Sequence, residues 1–300
     1  MKKGFKTVLP VASCFMVIGL SMITVSALNG GFSEVHKLAR SSYFTLSADF
    51  DNIFAPTVVM DFDKGDFNDD YDISTSTSNY DIDEDITGAV ITVDAGNVTL
   101  REDDGNPGVK VSSPEKCQCY IEDGIMYLTV KTGPLNNTEV KIDLPEDTEL
   151  DDLTLSTGAS KLKMEDINCH TLNLEIGAGN ADIDDLNCSD SAFIEVGAGN
   201  FKASGSYFHD ADINTGIGEF SFSDGDITGN LNLDCGIGNV DLDLESEAED
   251  HNISVDGGIG NIRIDGDKYH GLGNEINKQS NTDSTYTINC GTGNVDIDFD

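Results

Sequence analysis

Basic residues are scarce in this 300-residue chain. Lys and Arg number 17 against 55 Asp and Glu, which gives a formal net charge of −38 at pH 7. Because binding to a polyphosphate backbone requires clusters of basic side chains, this balance excludes nucleic acid as the main partner. It also disfavours direct adhesion to anionic lipid. Cationic ligands, divalent ions and basic wall components remain open as partners.

The motifs of common enzyme sites are also missing. The histidines form no His-x-x-x-His pair, and the sequence has no serine nucleophile elbow and no phosphate-binding loop. The Cys117-x-Cys119 spacing is not the Cys-x-x-Cys of zinc or redox sites. We therefore predict a non-enzymatic protein with no catalytic residue, cofactor or dedicated metal site. We expect the histidines to be isolated on the surface: His36, His170, His209, His251 and His270.

Glycine, in contrast, is abundant and regularly spaced. A Gly-x-Gly-Asn motif, with Glu219 replacing Asn once, recurs at intervals of 20, 19, 20, 22 and 33 residues. A fixed period near 20 residues indicates a repeat architecture. The predicted structural corner residues are Gly177, Gly179, Asn180, Gly197, Gly199, Asn200, Gly216, Gly218, Gly236, Gly238, Asn239, Gly258, Gly260, Asn261, Gly291, Gly293 and Asn294.

Apolar and polar residues alternate on both sides of each corner. Leu174 and Ile176 precede Asn180, whereas Ala181 and Ile183 follow it, with polar residues between them. This period of two is typical of a half-buried strand. One repeat cannot bury its apolar face alone, so the units must stack. We predict an all-β, single-domain β-solenoid, resembling a β-helix, with about 20 residues per coil and coils about 4.8 Å apart.

The corners have a structural explanation. Glycine allows backbone angles that are closed to other residues and lets neighbouring coils approach closely. Asparagine tolerates left-handed geometry and bonds local backbone, so stacked corners predict an Asn ladder. A calcium-binding roll is the alternative, but it requires a turn every nine residues or so. The observed spacing of about 20 residues weighs against it.

The N-terminus has the pattern of an export signal. Met1–Lys6 is basic and Thr7–Leu28 is almost wholly apolar, which is long enough to cross a bilayer. We predict a signal anchor over residues 1–28, and hence a single-pass protein of the cell membrane with an extracytoplasmic body. Val25-Ser26-Ala27 leaves open a cleaved signal peptide and a secreted protein. The apolar run continues past Cys14, which argues against a lipoprotein signal.

Residues 29–87 are predicted to be an acidic linker, and residues 88–300 the β-repeat domain. Asp61–Asp85 is rich in acids and has Ser and Thr at its centre, as in a solvated segment. A divalent-ion site at Asp66–Asp72 is a weak alternative, because the Gly and the terminal Glu of a calcium loop are missing. Within the body, Asp123-Gly124 predicts a hairpin in an antiparallel opening that caps the repeats.

The motifs together resemble a known family. An Ile-x-Val-x-x-Gly-x-Val-x-Leu opening (Ile91–Leu100), a Val-x-Ile-x-Leu-Pro step (Val140–Pro145) and serial Gly-x-Gly-Asn units are similar to the bacterial putative-adhesin, or toast-rack, β-repeat proteins. The resemblance covers about residues 86–300. It implies an extracytoplasmic β-repeat fold, and some relatives are linked to envelope-stress signalling. The family defines no catalytic residues, so the resemblance transfers none.

If the coils stack in sequence order, the order predicts which residues lie next to each other on neighbouring coils. Cys169 and Cys188 then lie on adjacent coils within disulfide range, whereas Cys235 and Cys290 lie two coils apart and too far to bridge. Either pair is also explained as small buried apolar residues. The final coil then has an exposed strand edge, where the charges of Asp296, Asp298 and Asp300 discourage end-to-end association. The insertion Lys268–Ser284 becomes a surface loop or part of a binding face.

Three functions remain open. The first is binding or scaffolding at the cell surface, with a cell-envelope polymer or protein as partner and membrane attachment through the N-terminal segment. The second is an accessory or regulator of the envelope-stress response. The third is a carbohydrate-active β-solenoid enzyme that uses paired acids such as Asp243 and Asp265. Acids on the outward face also allow weak divalent cation binding.

Overall fold

The structure is a computed structural model that describes residues 67–68, 70–103, 105–133, 137–280 and 282–299. The predicted anchor, residues 1–28, and most of the predicted linker lie outside the described residues. In the part that is described, no helix is both long enough and apolar enough to pass through a membrane.

Thirteen strands form one sheet, and the described residues include a single short 3-10 turn at Ala248–Asp250. The predicted all-β repeat fold is therefore confirmed. The strands are β1 (Ser78–Asp81), β2 (Gly88–Glu102), β3 (Gly108–Ser112), β4 (Pro114–Glu122), β5 (Ile125–Thr132), β6 (Glu139–Leu144), β7 (Glu149–Ser204), β8 (Tyr207–Ile227), β9 (Leu231–Leu244), β10 (Asn252–Ile264), β11 (Asp267–Lys278), β12 (Thr285–Thr292) and β13 (Val295–Phe299).

The longest strands run through several corners, and the alternation decides which side chains face inwards. Leu174, Ile176, Ala181 and Ile183 are buried, whereas the residues between them are at least partly exposed. Stacking brings equivalent side chains together, as when the Phe201 and Phe220 rings stack with centroids 5.0 Å apart. Burial of each large apolar side chain contributes about 1.5–3 kcal/mol, so the stacked interior stabilises the repeats.

The second glycine of each corner allows the coils to approach closely. Gly199 and Gly218 have φ of +145° and +152°, and a Cβ on Gly218 would lie 1.5 Å from the carbonyl oxygen of Gly199. Both expected reasons for glycine therefore apply at this position. We name each coil by the residue at its Asn position: the Asn180, Asn200, Glu219, Asn239, Asn261 and Asn294 coils.

A second corner, which was not predicted, follows three of the Asn positions and also Lys161, which lies one repeat before Asn180. Asp166, Asp185, Asp224 and Asp265 have φ between 52° and 55°. Aspartate is one of the few residues that enter the left-handed region at modest cost, since its short side chain bonds local backbone. The sequence did contain a signal for this corner, because an aspartate recurs four or five residues after these positions.

The coils do not stack in sequence order. Strand β9 pairs in parallel with β12 and β13, and these pair on their other side with β10. The Asn294 coil, last in the chain, therefore lies between the Asn239 and Asn261 coils. The assumed sequential order was wrong at this point. Because β13 has neighbours on both sides, the prediction that the final coil is an exposed edge was also wrong.

The insertion in the long interval forms a strand. Within Lys268–Ser284, residues up to Lys278 belong to β11, which pairs antiparallel with β10 over its whole length. The expected surface loop is thus confined to the last residues of the insertion. Strand β11 occupies one end of the sheet, where it covers the edge that β10 would otherwise expose.

The opposite end is antiparallel, as predicted. Strands β4 and β5 form a hairpin whose turn residues, Asp123 and Gly124, both have positive φ. Strand β1 pairs antiparallel with β3, and β3 with β6. Strand β1 and the buried side chains of Ile82 and Ile86 precede residue 88, so the sheet and its hydrophobic core include residues before it.

Candidate binding face

The corner asparagines form a ladder along one edge of the coils. The Asn200 backbone N–H donates to Asn180 Oδ1 at 3.2 Å, and the Glu219 N–H donates to Asn200 Oδ1 at 3.2 Å. The ladder continues in the spatial order of the coils, because the Asn294 N–H donates to Asn239 Oδ1 at 3.1 Å. The Asn261 N–H then donates to Asn294 Oδ1 at 3.3 Å. These side chains satisfy backbone donors and have a structural role.

The candidate site lies on an outward face of the same coils. An open groove of about 690 Å³ crosses five coils, from the Asn180 coil to the Asn294 coil. We call it the groove, and none of the described residues that line it is a His, Cys, Lys or Arg. Its lining residues are Thr171, Leu172, Asn173, Ser191, Ala192, Phe193, Asp210, Ala211, Asp212, Asn230, Leu231, Asn232, Thr285 and Thr287.

Phe193 is the aromatic residue of the groove lining, and its side chain is 38 % exposed. It lies seven residues before the Asn position, where the other coils of the groove have polar residues. In the register, Phe193 pairs with Asp212 and Asp212 with Asn232. Thr287 is next to Asn232 on the Asn294 coil. An apolar ring thus lies among hydrogen-bonding groups at a spacing set by the sheet.

A second set of polar residues, one on each of three neighbouring coils, is joined by hydrogen bonds along the groove. Asp210 Oδ1 accepts hydrogen bonds from the Asn230 backbone N–H at 2.6 Å and from its side-chain amide at 3.2 Å. Asn230 Oδ1 in turn accepts from the Thr285 backbone N–H at 3.2 Å. Since these side chains are fixed by backbone donors of the next coil, the groove needs little reorganisation to bind a ligand.

The electrostatic character of this face is negative. Burial, followed by the nearby charge of Glu175, raises the pKa of Glu195, which lies two residues beyond Phe193. Glu175 accepts a hydrogen bond from the Ser156 hydroxyl at 3.1 Å. With Asp210 and Asp212 in the groove itself, the face favours neutral or cationic ligands over anions.

The acids after the corner are arranged differently from the prediction. Asp243 pairs in register with Asp298, not with Asp265, so the predicted Asp243–Asp265 pairing was wrong. Arg263 of β10 forms ion pairs with Asp296 and Asp298. Mainly burial, and then the charge of Asp296, raises the pKa of Asp241. Arg263 partly neutralises these acids. They lie side by side because the Asn294 coil is inserted between the Asn239 and Asn261 coils.

His251 differs most from its predicted surface position, because it is only 2 % exposed. Its ring stacks on Tyr286 at 4.1 Å and hydrogen-bonds the hydroxyls of Ser284 at 2.6 Å and Ser246 at 2.9 Å. Burial lowers the pKa of His251. The ring lies where the chain leaves β9, enters β10 and later enters β12. His251 therefore links the connection between β9 and β10 to the start of β12, the strand that opens the Asn294 coil.

His170 and His209 are at least partly exposed. His170 contacts Glu149 at 3.1 Å, and His209 bonds the Thr228 hydroxyl at 3.1 Å. His36 lies outside the described residues. Among the described residues, no group of three or more His, Cys, Asp or Glu is placed to hold a metal ion. The Asp66–Asp72 candidate lies partly outside them.

Sequence reasoning missed the groove, Phe193 and the buried His251. For Phe193 a signal existed, since an aromatic residue stood at an outward position that is polar in the neighbouring coils. For His251 no local signal existed, because its burial depends on strands that are distant in sequence.

Comparison with known proteins decides the family. A family model described as Toastrack DUF4097 matches residues 28–298, nearly the whole chain. The chain belongs to the Toastrack DUF4097 family. The resemblance seen in the motifs of this Toastrack protein is thereby confirmed. No curated protein is significantly similar to it.

Several solved structures are similar to this Toastrack protein. A putative cell adhesion protein from Clostridium sporogenes is 15 % identical, with a TM-score of 0.37 over 75 % of this chain and 99 % of the other. A putative adhesin from Parabacteroides merdae is 13 % identical, with a TM-score of 0.40 over 75 % and 96 %. A putative lipid binding protein from Parabacteroides distasonis is 14 % identical, with a TM-score of 0.24 over 73 % and 96 %. The family assignment follows from the sequence model alone.

Proposed function

We propose that this Toastrack protein is a non-catalytic binding or scaffolding module outside the cytoplasm, and that the groove binds a cell-envelope polymer or protein. The observation that carries the proposal is the position of Phe193. An exposed ring among Asn, Asp and Thr side chains, fixed across five coils, combines one apolar contact with several hydrogen-bonding groups. Binding sites commonly have this composition.

The chemical groups of the groove lining limit the kinds of partner that it can bind. Its amide, hydroxyl and carboxylate groups bond hydroxyls, amides and amines, whereas the absence of Lys, Arg and His in the lining disfavours anionic groups. The groove crosses coils whose spacing is about 4.8 Å, so it suits an extended chain better than a compact small molecule. A neutral or cationic polymer of the cell envelope meets both conditions.

The location belongs to the same proposal. Met1–Leu28 is the segment proposed to hold the protein in the cell membrane, with a secreted form if the segment is cleaved. The full chain should then sediment with membranes and be released by detergent but not by high salt. Recovery of the full chain in the soluble cytoplasmic fraction would refute the proposed location.

Binding is tested with the full chain in detergent against immobilised peptidoglycan, chitin, polylysine and collagen. We expect retention on at least one neutral or cationic polymer. Phe193→Ala should weaken that binding by about tenfold or more, because loss of a central aromatic contact commonly costs over 1 kcal/mol. Tyr207→Ala is the matched control, since Tyr207 is an aromatic residue outside the groove lining and is 43 % exposed.

Two results would refute the groove as the binding site. One is the absence of binding to every polymer of the set. The other is binding that Phe193→Ala and Tyr207→Ala change equally. Both variants remove an exposed ring, so a difference between them reports on the groove and not on stability in general.

A further inference from the structure

We propose that Cys235 and Cys290 form a disulfide bond that fastens the out-of-order Asn294 coil to the Asn239 coil. The two residues are direct partners in the parallel register of β9 and β12. This neighbourhood exists only because the last coil is inserted between the Asn239 and Asn261 coils. Sequential stacking would keep the two residues apart.

The geometry of the pair fits a disulfide. Directly paired residues on parallel strands lie about 4.8 Å apart, within the range of about 4.4–6.8 Å between Cα atoms that disulfides span. Both side chains point into the interior and are 3 % exposed, and each thiol shifts the pKa of the other. Cross-linking therefore joins two buried thiols that the register already places side by side.

The position of the pair gives the bond a mechanical role. Cys235 and Cys290 have 54 residues between them, which include β10 and β11. A cross-link over such a long loop removes much conformational freedom from the unfolded chain. It would also prevent β12 from leaving its place while β10 stays paired. The bond thus acts where the fold departs from sequence order.

The two thiols are unequal in the closed coil. The neighbouring Cys290 thiol is the main cause that lowers the pKa of Cys235 to about 7, with burial opposing it and the Thr215 side chain assisting it. The same contact raises the pKa of Cys290. In the closed coil Cys235 is thus the more acidic thiol of the pair.

The reaction needs an oxidant, for which we use oxidised glutathione, a disulfide. The Cys235 thiolate attacks one glutathione sulfur, forms a mixed disulfide and expels a glutathione thiolate. The Cys290 thiolate then attacks the Cys235 sulfur and expels the second glutathione thiolate. The two protein thiols lose two electrons and two protons, and the glutathione disulfide becomes two thiols. Because both cysteines are buried, exchange takes place while the last coil is open during folding.

The experiment refolds the full chain from denaturant in a mixture of reduced and oxidised glutathione. Remaining thiols are alkylated, and the digested protein is analysed by mass spectrometry. We expect a cross-linked peptide pair that joins Cys235 to Cys290, and no such pair in Cys290→Ser. The Cys169→Ser/Cys188→Ser variant is the matched control. It removes another pair of thiols that shift each other's pKa, and the Cys235–Cys290 cross-link should persist in it.

Limited proteolysis tests whether the bond keeps the Asn294 coil in place. Oxidised protein should survive limited proteolysis about tenfold longer or more than protein kept reduced, and Cys290→Ser should lose this difference. Recovery of both cysteines in alkylated form from the oxidised protein would overturn the proposal. So would cross-links that join Cys235 to the other cysteines as often as to Cys290. The proposal does not depend on the ligand of the groove, and its failure would leave the proposed function untouched.

Discussion

Gly218 shows at the level of one residue why the corner motif is constrained. A methyl group there would meet the Gly199 carbonyl oxygen at 1.5 Å, on a backbone with φ of +152°. The coils would have to separate, because the carbonyl oxygen belongs to the backbone and cannot turn away. We expect Gly218→Ala to destabilise the protein by at least about 3 kcal/mol, as measured by urea unfolding.

Gly266→Ala is the matched control for this substitution. Gly266 also has a positive φ, of +80°, but nothing lies within 4 Å of the position of its Cβ. It therefore reports the cost of the backbone angle alone, which should be about 1–2 kcal/mol. Equal losses in the two variants would show that close approach of the coils is not what requires glycine at Gly218.

His251 predicts a dependence of stability on pH. Burial lowers its pKa below the ordinary value of 6.5, although the charges of Asp226 and Asp250 oppose the shift. The unfolded chain therefore binds more protons than the folded chain in the interval between the two values. The stabilisation is fully present above the ordinary pKa and is lost as the pH falls towards the lowered one. The slope is at most about 1.4 kcal/mol per pH unit.

Urea unfolding of the wild type and of His251→Gln between pH 7.5 and 5.5 measures this slope. We expect the wild type to lose stability over this range and His251→Gln to lose less. His209→Gln is the control, because it removes a histidine that lies on the surface. An identical slope in His251→Gln and the wild type would contradict the role assigned to His251.

At the scale of the element, the order of the coils makes β13 an interior strand. Its backbone pairs with β9 on one side and with β10 on the other. In a sequential stack it would pair on one side only, and about half of its amides would face solvent. Hydrogen exchange followed by mass spectrometry should therefore find Val295–Ile297 protected as strongly as the centre of β9.

Strand β11 is the comparison for this measurement, because it lies at an end of the sheet and pairs with β10 alone. Amides of β11 that do not point to β10 should exchange fast. Fast exchange of alternate amides in β13, together with slow exchange throughout β11, would contradict the coil order. The same data would also remove the basis for a Cys235–Cys290 bond.

The sequence predicted the interior of each coil well but not the order of the coils. Alternation and the Gly-x-Gly-Asn spacing are local, so Leu174, Ile176 and Ile183 could be assigned to the core directly. The same local pattern fits a coil equally well beside any other coil. The order depends on where the connections run, and these are the least regular segments. For this reason the neighbours of Asp243 and Cys290 were predicted wrongly.

The whole molecule carries a net charge of −38, whose mutual repulsion opposes folding. Salt screens such repulsion, since the Debye length falls from about 30 Å at 0.01 M to about 3 Å at 1 M. The local ion pairs of Arg263 are partly exposed and lose little by comparison. We expect the melting temperature of the full chain to rise by several degrees as NaCl increases from about 0.02 to 0.5 M.

Calcium chloride at matched ionic strength separates screening from site binding. If screening alone acts, calcium should raise the melting temperature about as much as sodium does. A clearly larger rise with calcium, reversed by a chelator, would instead indicate specific binding by the acidic rows. A melting temperature that falls with added salt would show that attraction between charges outweighs repulsion, and the net charge would then not be what limits stability.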